Sequence, residues 1–177
     1  MSRILRIVFP VLLFGLWLIL PSAAVANPDL AGSWVTIPGE GTSTDPWGRL
    51  YLDISIDGKD ITVTKTVGGG RRTHSQVYPL KIGRKVDVKV DWWTENRHIG
   101  AYSTGDKIET IRANWLDDKA VLRTESVITL QTSQGNTSVR TYAEYRISDS
   151  GKKLTVIQLR SSRDRPLVYV YERAETE

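Results

Sequence analysis

The chain has 177 residues, no cysteine and a formal net charge of +4 at pH 7. This length suggests one folded domain, and the lack of cysteine excludes both disulfides and the lipid anchor of bacterial lipoproteins. Apart from Arg3 and Arg6, 22 basic residues accompany 20 acidic ones, a balance that excludes the strongly basic character of a nucleic-acid-binding protein.

The first 26 residues predict a secretory signal peptide. Two arginines precede an apolar run from Ile7 to Leu20, and a small-x-small site ends at Ala26. The run is shorter than the ~20 residues that a membrane-spanning helix needs. We expect cleavage between Ala26 and Asn27, no membrane anchor after cleavage, and a periplasmic or secreted protein. An uncleaved N-terminal anchor is the alternative.

Residues 27–177 follow a β-strand pattern. Apolar and polar residues alternate with a period of two, which is typical of a sheet with one buried and one solvated face. Turn residues separate the alternating runs at short intervals. The predicted strands are 31–37, 49–56, 60–67, 73–80, 85–93, 107–115, 119–131, 137–148, 152–160 and 166–173.

Successive hairpins predict an all-β domain: a single up-and-down antiparallel meander of about 8–10 strands. Closure into a barrel removes the exposed edges of such a sheet. Residues 38–47 and 94–105 are polar and predicted as loops. With Gly135-Asn136 at the centre of a hairpin turn, Glu125 would face Arg146 and Ser126 would face Tyr145.

The inner face of this predicted barrel is not uniformly aliphatic. Small or hydroxylated residues leave room and hydrogen-bonding groups for a ligand, although a packed barrel with satisfied hydroxyls is the alternative. Inward aromatic residues could line the same space, and they could equally belong to the core. The candidate ligand-binding residues are Trp92, Trp115, Thr124, Ser126 and Tyr145.

The segment from Val90 to Asp106 combines aromatic and polar residues in a predicted loop. Aromatic side chains at the rim of a barrel can stack on a sugar ring or a flat apolar ligand. The alternative is that an outward tryptophan simply covers a neighbouring strand. The candidate rim residues are Trp93, Arg97, His98 and Tyr102.

No residue pattern predicts catalysis, a metal site or a cofactor. His74 and His98 are the only histidines, and neither has the neighbouring ligands that zinc requires. Glu125 and Glu144 lie on the solvated face beside arginines, where ion pairing explains them better than acid–base chemistry. An enzymatic function would need a polar pocket that gathers a histidine with a carboxylate.

Two short motifs carry a family resemblance. Gly32-Ser33-Trp34 resembles the Gly-x-Trp of lipocalins and related calycin barrels, and "LVYVYERA" at Leu167–Ala174 resembles their C-terminal strand. The resemblance implies that Arg173, or less well Lys153, lies over Trp34 and closes one end of the barrel. A guanidinium over an indole ring contributes about 0.5–2 kcal/mol.

The whole mature chain also resembles small exported bacterial lipocalin-like proteins. The matching segments are Asp29–Trp34, Asp57–Val63, Ser148–Val156 and Tyr169–Arg173. This resemblance implies a lipocalin-like barrel and a generic binding role, but no particular ligand.

The favoured hypothesis is an exported binding protein that holds a small, mainly apolar ligand inside the barrel. The alternative is a structural or interaction protein of the cell envelope with a solid core, no small-molecule ligand and an unknown protein partner. Interior volume separates the two, because a cavity of ~300 Å³ or more supports ligand binding and a filled interior does not.

Overall fold

The computed structural model describes residues 27–44, 48–68, 73–90, 94–95, 98–101, 107–117, 120–133 and 135–175. The predicted signal peptide lies outside these residues, as do Trp92, Trp93, Arg97 and Tyr102. Among the described residues, no helix has the length and apolar character needed to cross a membrane.

A single 3₁₀ turn, Pro28–Leu30, precedes the strands in the described part of the chain. The strands are β1 (Gly32–Gly41), β2 (Leu50–Asp57), β3 (Asp60–Val67), β4 (His74–Lys81), β5 (Lys85–Lys89), β6 (Thr94–Glu95), β7 (His98–Ala101), β8 (Ile108–Leu116), β9 (Val121–Thr132), β10 (Gly135–Ile147), β11 (Lys153–Arg160) and β12 (Leu167–Arg173).

Ten of these strands form one antiparallel sheet. Its order is β4-β3-β2-β1-β12-β11-β10-β9-β8-β5, so the first and last strands of the chain pair with each other. The predicted all-β, up-and-down meander is therefore confirmed, and it forms a nearly closed barrel. Strands β6 and β7 make a separate two-stranded hairpin in the segment that was predicted as a loop, so that part of the prediction is wrong.

The barrel is incomplete between β4 and β5, which are the two ends of the sheet. A side chain spans this seam: Gln76 Nε2 donates to the Lys89 carbonyl at 2.9 Å. Near the turn between the two strands, the Gly83 amide donates to the Ala113 carbonyl at 2.9 Å. These bonds provide partners for some of the backbone groups near the seam.

The barrel has two distinct ends. One end, called the base here, holds the short turns after β2, β4, β8 and β10, together with the start of β1 and the end of β12. The opposite end, called the rim, holds the connections after β1, β3, β5, β9 and β11. Val90 and Lys107, which flank the connection from β5 to β8, lie at the rim, where the Val90 amide donates to the Lys107 carbonyl at 2.7 Å. The predicted position of Trp93, Arg97 and Tyr102 at the rim stays a prediction, because these residues lie outside the described ones.

The hairpin between β9 and β10 has a different register from the predicted one. Gly135 pairs with Thr132, so the turn lies at residues 133–134, two residues earlier than predicted. Glu125 therefore faces Tyr142, and Ser126 faces Thr141. The predicted facing pairs of Glu125 with Arg146 and Ser126 with Tyr145 are wrong. The shift in pairing is an even number of residues, so every side chain keeps its predicted face.

Gly135 ends the turn instead of occupying its centre. It adopts φ 109°, a conformation that side chains rarely accept, while its carbonyl accepts a hydrogen bond from Thr132 Oγ1 at 2.8 Å. A glycine in the turn could satisfy either position, so the sequence alone did not fix the register.

The base is closed by Trp34 and Arg173. Trp34 is fully buried, and its indole nitrogen donates to the Leu30 carbonyl at 3.1 Å. The guanidinium of Arg173 lies 4.2 Å from the centre of the indole ring, and it donates to the carbonyls of Asp29 and Ala31 at 2.7 and 2.8 Å. The contact implied by the family resemblance is thus present. Lys153, the other candidate, instead pairs with Glu40.

Gly32 is required by this closure. A Cβ atom at this position would collide with the guanidinium of Arg173, and the residue has φ 126°. The glycine of the Gly-x-Trp motif therefore makes space for the arginine that covers the tryptophan.

Candidate functional site

The barrel interior holds a cavity of about 110 Å³ in its rim half. Its apolar wall comes from Leu50, Leu52, Val67 and Val156. A smaller void of about 30 Å³ extends toward β8 and β9. Six residues line both spaces: Lys65, Tyr78, Glu109, Thr141, Tyr145 and Gln158.

Lys65 is the most unusual residue of this interior. It occupies an inward position of β3, in alternation with the buried Ile61 and Val63. Its ammonium lies 4.8 Å from the centre of the Tyr78 ring, and Tyr145 lines the same cavity. A cation inside a barrel is stable only with such partners.

Electrostatic partners keep Lys65 charged. Burial opposes its charge, but Tyr145, Tyr78 and Glu109 outweigh burial and raise the pKa of Lys65 above its usual value. Part of the Lys65 surface nevertheless stays open, because the side chain faces the cavity. The cavity therefore presents an ammonium group to any ligand that enters it.

The tyrosines of the cavity are neutral donors. Burial raises the pKa of Tyr78 well above its usual value, with Glu109 and Tyr145 adding to the effect and Lys65 opposing it. Burial likewise raises the pKa of Tyr171, and Tyr145 and Tyr169 add to it. These hydroxyl groups keep their protons in neutral water and can donate hydrogen bonds.

Two further charged groups share the cavity. Glu109 is only 7% exposed, although it carries a carboxylate. Arg160, at the rim end of β11, donates from Nη2 to the buried Gln158 Oε1 at 3.3 Å. His74 also lines the cavity. The lining thus contains the cationic side chains of Lys65 and Arg160 and the acidic side chain of Glu109.

The structure brings some of the predicted ligand-binding residues together. Thr124 and Ser126 line the smaller void, and Tyr145 lines both spaces. Trp115 lies apart from them: it is opposite Leu122 near the base and packs against the core. Among the predicted rim residues, only His98 belongs to a described element, as the first residue of β7.

Sequence reasoning missed the polar residues that distinguish this cavity. Lys65, Glu109 and Gln158 all occupy inward positions of strands whose other inward residues are mainly apolar. A charged residue at an inward position is the signal that could have revealed them. The neighbouring apolar residues identify each strand without this signal.

A wider depression of about 780 Å³ lies across β8–β11, and exposed residues such as Arg112, Glu125 and Arg140 line much of it. Val127 and Leu159, also exposed, contribute apolar surface. Charged groups on this face interact with each other: Arg146 pairs with Glu144 at 2.6 Å. The hydrogen bond from Arg146 lowers the pKa of Glu144 against the opposing effect of burial. This face is solvated, unlike the interior.

Metal coordination has no support in the described part of the chain, where no three His, Asp or Glu residues gather in a suitable cluster. The prediction that no metal is bound stays a prediction.

The chain matches no protein-family model and no curated protein sequence. Its structure is similar to many solved structures, and three of them, each under 25% identical in sequence, illustrate the likeness. A fatty acid transporter designated REP1-NXSQ is 15% identical, with a TM-score of 0.51, over 84% of this chain and 98% of that chain. A secretory abundant heat soluble protein from Ramazzottius varieornatus is 9% identical, with a TM-score of 0.54, over 84% and 98%.

The third is the Schistosoma mansoni fatty acid binding protein in complex with arachidonic acid. It is 12% identical, with a TM-score of 0.52, over 83% of this chain and 97% of that chain. At these identities the likeness shows the fold alone. The chain therefore has a calycin-type β-barrel fold.

Proposed function

We propose that the barrel binds a small, mainly apolar ligand in its interior. The observation that carries this proposal is the cavity itself, which combines an apolar wall with a few convergent polar groups. Ligand sites in proteins have this composition, since apolar surface provides affinity and placed polar groups provide orientation. The proposed activity is binding without catalysis.

The similar structures support the proposal through their fold. Two of them are described as a fatty acid transporter and a fatty acid binding protein. A barrel of this type can therefore enclose an apolar chain. The third similar structure is described only as a heat soluble protein, so the fold by itself does not require a ligand.

Cavity size limits what the interior can hold. Its volume of about 110 Å³ lies below the ~300 Å³ of typical ligand pockets. A cavity of about 150 Å³ accepts a molecule as small as benzene. We therefore propose that the polar end of the ligand and its first carbons occupy the cavity, while the rest of the ligand extends toward the rim.

Binding can be tested on the purified protein with a series of straight-chain carboxylates from butanoate to dodecanoate. The expected result is one bound molecule per chain in native mass spectrometry. Affinity should rise by about 0.8 kcal/mol for each CH₂ that the cavity buries and level off for longer chains that extend toward the rim. A parallel rise in thermal stability is expected, since a ligand that binds only the folded state stabilises that state. Failure of every member to bind would favour the solid-cored envelope protein.

We also propose that the chain is exported and that its mature form begins at Asn27. The support is the N-terminal pattern of two arginines, a short apolar run and Ala24-Val25-Ala26. Expression of the full sequence in a bacterium should yield an exported product whose intact mass corresponds to residues 27–177. Ala26→Arg should block processing, because the cleavage site requires a small residue. A wild-type product that retained residues 1–26 would contradict the cleavage.

A further inference from the structure

We propose that the ligand carries an anionic carboxylate head group and that Lys65 binds it. This inference rests on the proposed function, because it specifies which small, mainly apolar molecule the interior accepts. Three features of the cavity support it: the position of Lys65, the hydroxyl groups in the lining and the charged side chains of the lining.

Position comes first. Lys65 projects inward from β3, and its ammonium lies 4.8 Å from the Tyr78 ring centre. Lys65 is partly exposed and lines the cavity. An ammonium group has three protons to donate. Lys65 can therefore donate to an acceptor that enters the cavity.

The neighbouring hydroxyl groups suit the same acceptor. Tyr78 and Tyr145 line the same cavity as Lys65, and Tyr171 and Tyr169 line it from β12. A carboxylate has two oxygens with about four acceptor positions, so it can accept from the ammonium and from tyrosine hydroxyls together. Bonds to an ionised acceptor are shorter and stronger than bonds between neutral groups.

The charge of the lining favours an anion. Lys65 and Arg160 are cations, whereas Glu109 is the one carboxylate among the described lining residues. A charge enclosed by protein is costly unless it is compensated. The ammonium of Lys65 would attract a bound carboxylate and repel an amine. An alcohol would gain neither effect.

Glu109 makes the proposal specific to this chain. Its carboxylate lines the same two spaces as Lys65, so it competes with an anionic ligand for the ammonium and repels that ligand. Glu109→Gln should therefore strengthen carboxylate binding, because it removes the repulsion and retains the shape of the side chain. A purely structural role for Glu109 would not produce tighter binding.

The test is isothermal titration of the purified protein with octanoate, 1-octanol and octylamine, which share a chain length and differ in head group. Wild-type protein should bind octanoate at least about tenfold more tightly than the alcohol, and the amine most weakly. Lys65→Met should lose this preference but retain binding of the alcohol. Glu109→Gln should bind octanoate more tightly. Lys59→Met, at an exposed turn position of the base, is the matched control and should behave as wild type.

The outcomes separate this inference from the proposed function. Equal binding of the alcohol and the carboxylate by the wild type would overturn the head-group assignment and leave the binding function standing. Failure of all three compounds to bind would contradict the proposed function itself. The wild-type comparison decides the matter even where Lys65→Met does not fold. Weaker octanoate binding by a folded Glu109→Gln variant would also overturn the assignment.

Discussion

At the scale of single residues, Trp34 and Arg173 carry the resemblance to calycin barrels, and their role is to close the base of the barrel. Arg173 contacts the indole ring on one side and the carbonyls of Asp29 and Ala31 on the other. The same guanidinium thus orders the 3₁₀ turn, the first strand and the last strand. The cavity lies at the opposite end of these strands, so the motif fixes the barrel without contacting the ligand.

Arg173→Met should destabilise the protein by about 1–3 kcal/mol. The variant loses a cation–π contact worth about 0.5–2 kcal/mol and two charge-assisted hydrogen bonds, whose value is reduced because the arginine is partly solvated. Urea denaturation measures the change. Arg84→Met, at an exposed position in the base turn between β4 and β5, should change the stability by less than ~0.5 kcal/mol. Equal stability of the two variants would contradict the closing role of Arg173.

At the scale of elements, the alternation of apolar and polar residues predicted the strands well, because it directly reflects which side chains are buried. Each of the ten predicted strands corresponds to a strand of the main sheet, with ends that differ by a few residues. Register was less predictable. Gly135 is compatible with more than one turn position, and only the complete pairing of β9 with β10 places the turn at residues 133–134.

The same alternation also predicted part of the candidate site. It identified Thr124, Ser126 and Tyr145 as inward residues, and these line the interior spaces. The charged residues Lys65 and Glu109 come from strands that are distant in sequence, and their neighbourhood depends on the curvature of the closed sheet. A strand pattern specifies which face a residue occupies, but it does not specify which strands meet across the interior.

The seam between β4 and β5 also depends on the folded sheet. Both strands were predicted from the sequence. The strand pattern does not specify, however, which two neighbouring strands of the barrel stay unpaired. The structure places this opening beside the cavity, where Gln76 lines the interior and bridges to Lys89.

At the scale of the whole molecule, the barrel divides into two functional halves. The base is closed by packing and by Arg173, whereas the rim half holds the polar cavity. Stability and ligand choice can therefore vary separately, since the residues that govern them do not overlap. This division is the structural basis for the proposed binding function.

The central claim is that the ligand lies inside the barrel, and blocking the cavity tests it most directly. Octanoate should be titrated against wild-type protein, Thr141→Phe and Arg140→Phe. Thr141 lines the cavity, and Arg140 is its exposed neighbour on the outer face of β10. We predict that Thr141→Phe folds but binds at least about tenfold more weakly, which corresponds to ~1.4 kcal/mol, while Arg140→Phe binds as wild type. Undiminished binding by a folded Thr141→Phe variant, or no binding by the wild type, would contradict the claim.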